Sequence, residues 1–255
     1  MRAIPGLLLA TLFFFASVAN ARVCQYRVEK VSHGRLVANL FLPDVTHKVP
    51  VVIAVGGSEG GLSTGNANGE MMAPRCLAVL GLAYFREKGL PPTLDHIPLE
   101  YFVEAINFLE SVPAIDASRI GLVGGSRGAE LALQLASREP RIRSLVATTP
   151  SSVAWYGLTT ASSAWTLEGQ DIPALSLARD DKAPLVERFA AALTDKDKVR
   201  NAMPSLERIN GPILLVSAEN DDVWPSYAMS QDIMAYLNAH SFIHPVTHRS
   251  YPTGH

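Results

Sequence analysis

The sequence predicts an α/β fold in which a mostly parallel central sheet carries helices on both faces. Three observations lead there. Short apolar runs alternate along the chain with segments of helical periodicity, the pattern of strand–helix–strand units. Two of the runs, Val51–Val55 and Pro212–Val216, are continuously apolar, as strands covered on both faces must be. The run Arg119–Val123 meets the helical stretch Ala129–Ala136 through Gly124-Gly125-Ser126-Arg127-Gly128, a G-x-S-x-G turn.

The elements follow in order. Met1-Arg2, the apolar run Leu7–Val18 and Ala19-Asn20-Ala21 read as an export signal cleaved after Ala21. Residues 22–255 are then expected as a single domain, secreted or periplasmic. The apolar run is too short for a spanning helix and no second one is longer, so no stable membrane span is expected after cleavage. Residues 24–42 alternate in two runs around Ser32-His33-Gly34, which predicts a β-hairpin. Val51–Val55 is the first central strand. Asn68–Leu80 has helical spacing, with Pro74 marking where its regular part begins. Leu82–Phe85 reads as the next strand, and Gly89–His96 as a polar loop. Pro98–Glu110 is predicted helical because Phe102, Ile106 and Leu109 recur on one face.

After the G-x-S-x-G turn a helix runs to about Ser137, then a strand over Ser144–Ala147. Pro212–Val216 is followed by a helix over Ser226–Asn238 and a last strand near His244 and His248. Residues 150–205 interrupt the alternation with Trp155, Tyr156, Trp165 and a charged helical segment, Asp180–Arg200. An excursion this long in a compact α/β chain reads as a lid-like insertion over the site.

Lys and Arg total 22 against 24 Asp and Glu, for a net charge of −2, with the signs mixed along the chain. Beyond Arg138, Arg141 and Arg143 there is no basic cluster, which excludes a nucleic-acid or anionic-membrane partner. The two cysteines, Cys24 and Cys76, can form a disulfide in an exported chain. Alternatively Cys76 is simply buried in an apolar helical pattern; spacing does not decide. No set of Cys, His and carboxylates has metal-ligand spacing.

The chemistry centres on Ser126. A turn between strand and helix holds a serine hydroxyl out at the top of a sheet, and small residues must flank it. A hydroxyl is a poor nucleophile unless a base takes its proton and a carboxylate orients that base. In strand–turn–helix arrangements the partners follow in the order acid, then histidine. After the strand 212–216 stand Asp221 and Asp222; being adjacent, both cannot face one imidazole, and Asp221, four residues before Pro225, is preferred. Of the four histidines that follow, His255 lies in a loop after the last strand, the right place for the base. The oxyanion formed on attack needs two N–H donors. The Arg127 amide is one. The loop Gly56-Gly57-Ser58-Glu59-Gly60-Gly61 supplies the other, from Gly57 or Ser58. No metal or organic cofactor is required.

From about residue 48 the chain resembles the C-terminal catalytic domain shared by acyl-CoA thioesterases and bile acid-CoA:amino acid N-acyltransferases (the BAAT family). The matching segments are residues 82–85, 98–108, 120–131, 164–167, 213–217 and 251–255. The resemblance implies an α/β-hydrolase fold and a nucleophile–Asp–His triad falling on Ser126, Asp221 and His255. The family's acyltransferases use cysteine and its thioesterases serine, so Ser126 implies hydrolysis of a small-molecule acyl thioester or carboxylic ester. Two other readings compete: acyl transfer to an amine acceptor, and a non-catalytic α/β-hydrolase-like binding protein for a small ligand or partner, whose base stands on an unanchored end.

Overall fold

A computed structural model describes residues 23–177 and 182–255. The expected export signal and the start of the charged segment at Asp180 lie outside the described residues. The strands are β1 (Tyr26–Lys30), β2 (Val37–Pro43), β3 (Val49–Val55), β4 (Ala78–Ala83), β5 (Ile97–Pro98), β6 (Ile115–Gly125), β7 (Ile142–Thr148), β8 (Trp165–Leu167), β9 (Gln170–Asp171), β10 (Ile213–Ala218) and β11 (Val246–Tyr251). The α-helices are α1 (Ser63–Met72), α2 (Glu100–Ser111), α3 (Arg127–Ala136), α4 (Leu185–Ala192), α5 (Lys196–Ala202) and α6 (Ser226–Ala239). Among the described residues no helix is long and apolar enough to cross a membrane.

Eight strands form the main sheet in the order β1-β2-β4-β3-β6-β7-β10-β11. The β1–β2 and β2–β4 pairs are antiparallel, and every pair from β4 to β11 is parallel. The central strands are buried on both faces. Leu40, Ile53 and Leu80 join the main core with Phe102 and Ile106 of α2. The alternate residues Phe41, Ala54 and Val79 form a second cluster with Ala73. Strand order reverses about β3, with β4 on one side and β6 on the other. In an open α/β sheet the crevice at such a switch point, beyond the carboxyl ends of the strands, is where ligands bind.

The predicted hairpin, the strand after it and the helices at 98–110, 129–137 and 226–238 are present, each within a few residues of its expected bounds. The segment 68–80 differs. Its helix is α1, which starts five residues earlier and stops at Met72; a 3-10 turn over Ala73–Arg75 follows. Cys76 then takes a left-handed conformation, φ 63°, and ends the turn. Ala78–Ala83 is strand, not helix, so the strand expected over 82–85 lies earlier. The physical reason is that α1 buries glycine rather than an apolar stripe. A Cβ on Gly65 would stand 2.8 Å from Gly81 Cα of β4, and one on Gly69 would clash with the Phe41 ring. The close approach of helix to sheet leaves no 3.6-residue hydrophobic signal. Cys76 is not a buried free thiol: it forms a disulfide with Cys24.

The insertion has its own small core. Val153, Trp155, Leu175, Phe189, Val199 and Ala202 cluster with Trp224 and Met229 near the start of α6. β8 pairs in parallel with β5 and antiparallel with β9 in a separate three-stranded sheet. The insertion therefore packs over the end of the main sheet where β10 leads into α6.

Candidate active site

Ser126 stands between β6 and α3 with φ 54° and ψ −122°, a conformation costly for a residue with a side chain. The surroundings hold it there. A Cβ on Gly124 would lie 2.2 Å from the Gly128 carbonyl oxygen, and one on Gly128 2.3 Å from that of Gly56. Strand, turn, helix and the neighbouring loop thus meet at distances only glycine permits. The Ser126 amide donates to the Thr148 carbonyl at 2.9 Å and fixes the turn to β7.

The three residues read from the chain order come together. His255 Nε2 lies 2.9 Å from Ser126 Oγ, and His255 Nδ1 lies 2.9 and 3.0 Å from the two Asp221 oxygens. An ionised carboxylate only accepts, so Nδ1 carries the ring proton and Nε2 is left to accept the serine's. The Asp221 side chain is 2% exposed and also accepts from the amides of Val223 and Trp224 at 3.0 and 3.1 Å. Burial pushes its pKa up. Hydrogen bonds from His255, the Ser226 hydroxyl and the Trp224 amide outweigh that and hold the carboxyl below its ordinary value. Asp222 is exposed to solvent. The segment carrying His255 is tethered: Glu219 N–H donates to the Tyr251 carbonyl at 2.8 Å and Asn220 N–H to that of Thr253 at 3.1 Å.

The loop after β3 is held from several sides. The Gly57 N–H donates to Glu59 Oε1 at 3.0 Å, and the Thr64 hydroxyl of α1 to the same oxygen at 2.6 Å. Arg86 donates to the Glu59 carbonyl at 3.0 Å, and the buried Tyr84 hydroxyl to the Gly56 carbonyl at 2.7 Å. Burial, the largest influence on that phenol, raises its pKa so that it stays a donor. The Gly57 amide is thus engaged within its own loop. Ser58 lines the cleft above Ser126 together with Arg127. Arg127 is the first residue of α3, where backbone N–H groups have no intrahelical acceptor.

That cleft has a volume of about 320 Å³, the lower end of the range for small-molecule sites. Most of its wall comes from the insertion: Trp155, Tyr156, Leu158, Leu175, Leu185 and Phe189. A line of edge-to-face rings runs from Trp155 to Phe189 (4.6 Å), Trp224 (5.6 Å) and His255 (5.8 Å). A reacting carbonyl at Ser126 would have an apolar cavity on one side and N–H donors on another.

Two features escaped the sequence reading. Glu59 was visible only as part of a glycine-rich loop. Arg127 and Glu130 are the two charges of a fully buried helix, 3.1 Å apart; two opposite charges three residues apart in such a helix are the available signal. Among the described residues no group of His, Cys, Asp and Glu could hold a metal ion.

The eight-stranded, mostly parallel sheet with its strand–turn–helix at Ser126 is the α/β-hydrolase fold. Solved structures with the same fold include acetyl xylan esterase 1 from Thermoanaerobacterium sp. JW/SL YS485, with a TM-score of 0.56 and 16% identity over 91% of this chain and 83% of that one. Another is a putative dienelactone hydrolase from Klebsiella pneumoniae, with a TM-score of 0.58 and 13% identity over 91% and 87%. The chain belongs to the BAAT / acyl-CoA thioester hydrolase C-terminal family, whose model matches residues 97–255. It is 32% identical over 216 residues to acyl-coenzyme A thioesterase 1 of Homo sapiens, covering 84% of this chain and 50% of that protein. It is 34% identical over 216 residues to acyl-coenzyme A amino acid N-acyltransferase 1 of Mus musculus, covering 83% and 49%. The chain thus spans about half the length of the curated relatives it matches.

Proposed function

We propose that this protein is a serine hydrolase of acyl thioesters or carboxylic esters, working through an acyl-enzyme. The observation that carries the reading is the continuous contact Asp221–His255–Ser126 beside an apolar cleft. Ser126 Oγ attacks the acyl carbon as its proton passes to His255 Nε2, and Asp221 stabilises the imidazolium. The amides of Arg127 and Ser58 receive the oxyanion; Gly57, committed to Glu59, holds the loop instead. Collapse breaks the bond to the sulfur or oxygen leaving group, which takes the proton from His255. Water then attacks the acyl-serine with His255 as base, releasing the acid and returning the proton to Ser126.

The family supports a thioester substrate: its relatives include acyl-coenzyme A thioesterases. Serine at 126 favours water over an amine as acceptor, because an oxygen ester is attacked less readily by amines than a thioester is. The N-acyltransferase relatives at 34% identity motivate the second reading; an amide product in the presence of glycine or taurine would establish it. Residues 1–21 and the Cys24–Cys76 disulfide support export to an oxidising compartment. The deciding experiment is fluorophosphonate labelling of the protein beside Ser126→Ala, followed by acyl-CoA and ester panels. Labelling that disappears in the variant is expected. An unlabelled parent protein, or full turnover by Ser126→Ala, would refute the mechanism.

A further inference from the structure

The residue after the nucleophile does more than present an amide. The Arg127 side chain is buried and extends beneath the insertion, where Nη2 donates to the Trp155 carbonyl at 3.3 Å and the Tyr156 carbonyl at 3.0 Å. Glu130, one turn along α3, is 1% exposed and lies 3.1 Å from Arg127 Nη1 through Oε2. Its other oxygen accepts from the Trp155 amide at 2.9 Å and from the Trp165 indole N–H at 2.6 Å. Two side chains of one helical turn therefore grip both the N–H and the C=O of Trp155. Trp155 and Tyr156 are in turn a wall of the cleft above Ser126.

As a source of stability this arrangement is a poor choice. Two desolvated charges recover their hydration cost only when every polar atom is satisfied. Here Arg127 Nε has no hydrogen-bond partner among the described residues, and Glu130 Oε2 meets Arg127 Nη1 as an ion contact without hydrogen-bond geometry. An apolar pair of similar volume would pack the same space at no electrostatic cost. The Trp155–Tyr156 main chain is bridged to Leu175 and Ser163 within the insertion; what an apolar pair cannot do is fix that bridged segment against α3, because only directional hydrogen bonds set its position there.

Resting on the hydrolase reading above, we propose that Glu130 is a positioning residue for acyl specificity: with Arg127 it locks the Trp155–Tyr156 wall against the helix that follows the nucleophile. Glu130 touches no substrate. It acts by fixing where the apolar wall stands relative to Ser126, and so how well an acyl chain, as distinct from a reacting carbonyl, is held.

The experiment uses the full chain with Glu130→Gln and Glu130→Leu. Two quantities are read: the labelling rate with a small ethyl fluorophosphonate, which needs the nucleophile but little of the wall, and kcat/KM for p-nitrophenyl decanoate relative to the acetate. Glu130→Gln keeps an acceptor for both N–H groups but withdraws the charge that holds Arg127. It is expected to lower the decanoate-to-acetate ratio about 5-fold, since small displacements of a positioning group are costly. Glu130→Leu removes the acceptor as well and should lower the ratio at least about 10-fold on the same reasoning. Labelling should stay within about 3-fold of the parent in both, because the nucleophile's own contacts are unchanged. The Gln variant, nearly isosteric, carries the test if the Leu variant does not fold. An unchanged ratio in Glu130→Gln overturns the proposal, and so does a parallel fall of both esters and the probe, the mark of general disruption. A parent protein that neither labels nor hydrolyses either ester would instead overturn the hydrolase reading itself, and this inference with it.

Discussion

His255 Nε2 stands 2.9 Å from Ser126 Oγ although 129 residues separate them in sequence. The sheet brings them together. β10 and β11 run parallel, with Ala218 paired to Tyr251, so the loops leaving both strands emerge at the same end. β7 lies between β6 and β10. The turn after β6, the Asp221 loop and the His255 loop therefore crowd one edge, and their side chains need only reach across it.

The two neighbouring aspartates should behave differently. Asp221→Asn leaves the geometry but removes the charge that fixes the imidazole tautomer, and is expected to lower kcat roughly 10,000-fold. Asp222→Asn, at an exposed position, should stay within about 3-fold. Steady-state ester hydrolysis by both variants checks this; equal losses would mean the acid has been misassigned.

Acid should erode one part of the stability. The Asp221 carboxyl titrates below its unfolded value, near 3.9, in the folded chain. A depressed carboxylate contributes fully above the unfolded pKa, and that contribution is lost as pH falls through the folded one. The difference in Tm between the parent protein and Asp221→Asn should therefore narrow from pH 5 to pH 2. Thermal melts across that range test it, and a constant gap would contradict it.

Glu59 should matter through its oxygen rather than its charge. Glu59→Ala frees the Gly57 amide and the Thr64 hydroxyl, loosening the loop that presents the Ser58 amide. A fall in kcat of about 10-fold or more, with little change in KM, is expected for a displaced oxyanion donor. Glu59→Gln, which still accepts, should recover most of it. If Gln is as damaging as Ala, the charge is what matters.

Breaking the disulfide should destabilise without disabling. Cys24 and Cys76 are 52 residues apart, a loop whose closure constrains the unfolded chain by about 4 kcal/mol. The bridge ties the segment before β1 to the turn before β4, away from Ser126. Urea unfolding with and without reductant should show the difference, while probe labelling in native buffer stays unchanged.

Much of this was legible beforehand because it is written in local patterns. Continuous apolar runs announced β3 and β10, whose faces are both covered. Helical spacing announced α2, and the flanking glycines announced the turn at Ser126. Chain order alone put an aspartate and a histidine after it. The helix expected over 68–80 and the strand over 82–85 depart from the structure because periodicity reports only faces buried by large side chains. α1 meets β4 through Gly65 and Gly81, and glycine leaves no such trace.

By itself the sequence determined the α/β class, the strand–turn–helix at Ser126 and the shortlist of an aspartate and a histidine to stand beside it. These rest on interactions between residues close along the chain. Only the tertiary structure decided that Cys24 meets Cys76, that Glu59 occupies the Gly57 amide, and that Arg127 and Glu130 grip the wall of the cleft. Each of those joins segments whose meeting depends on how the sheet is ordered and how closely its layers approach. Strand order and layer spacing come from packing the whole core at once, and no short stretch of residues encodes them.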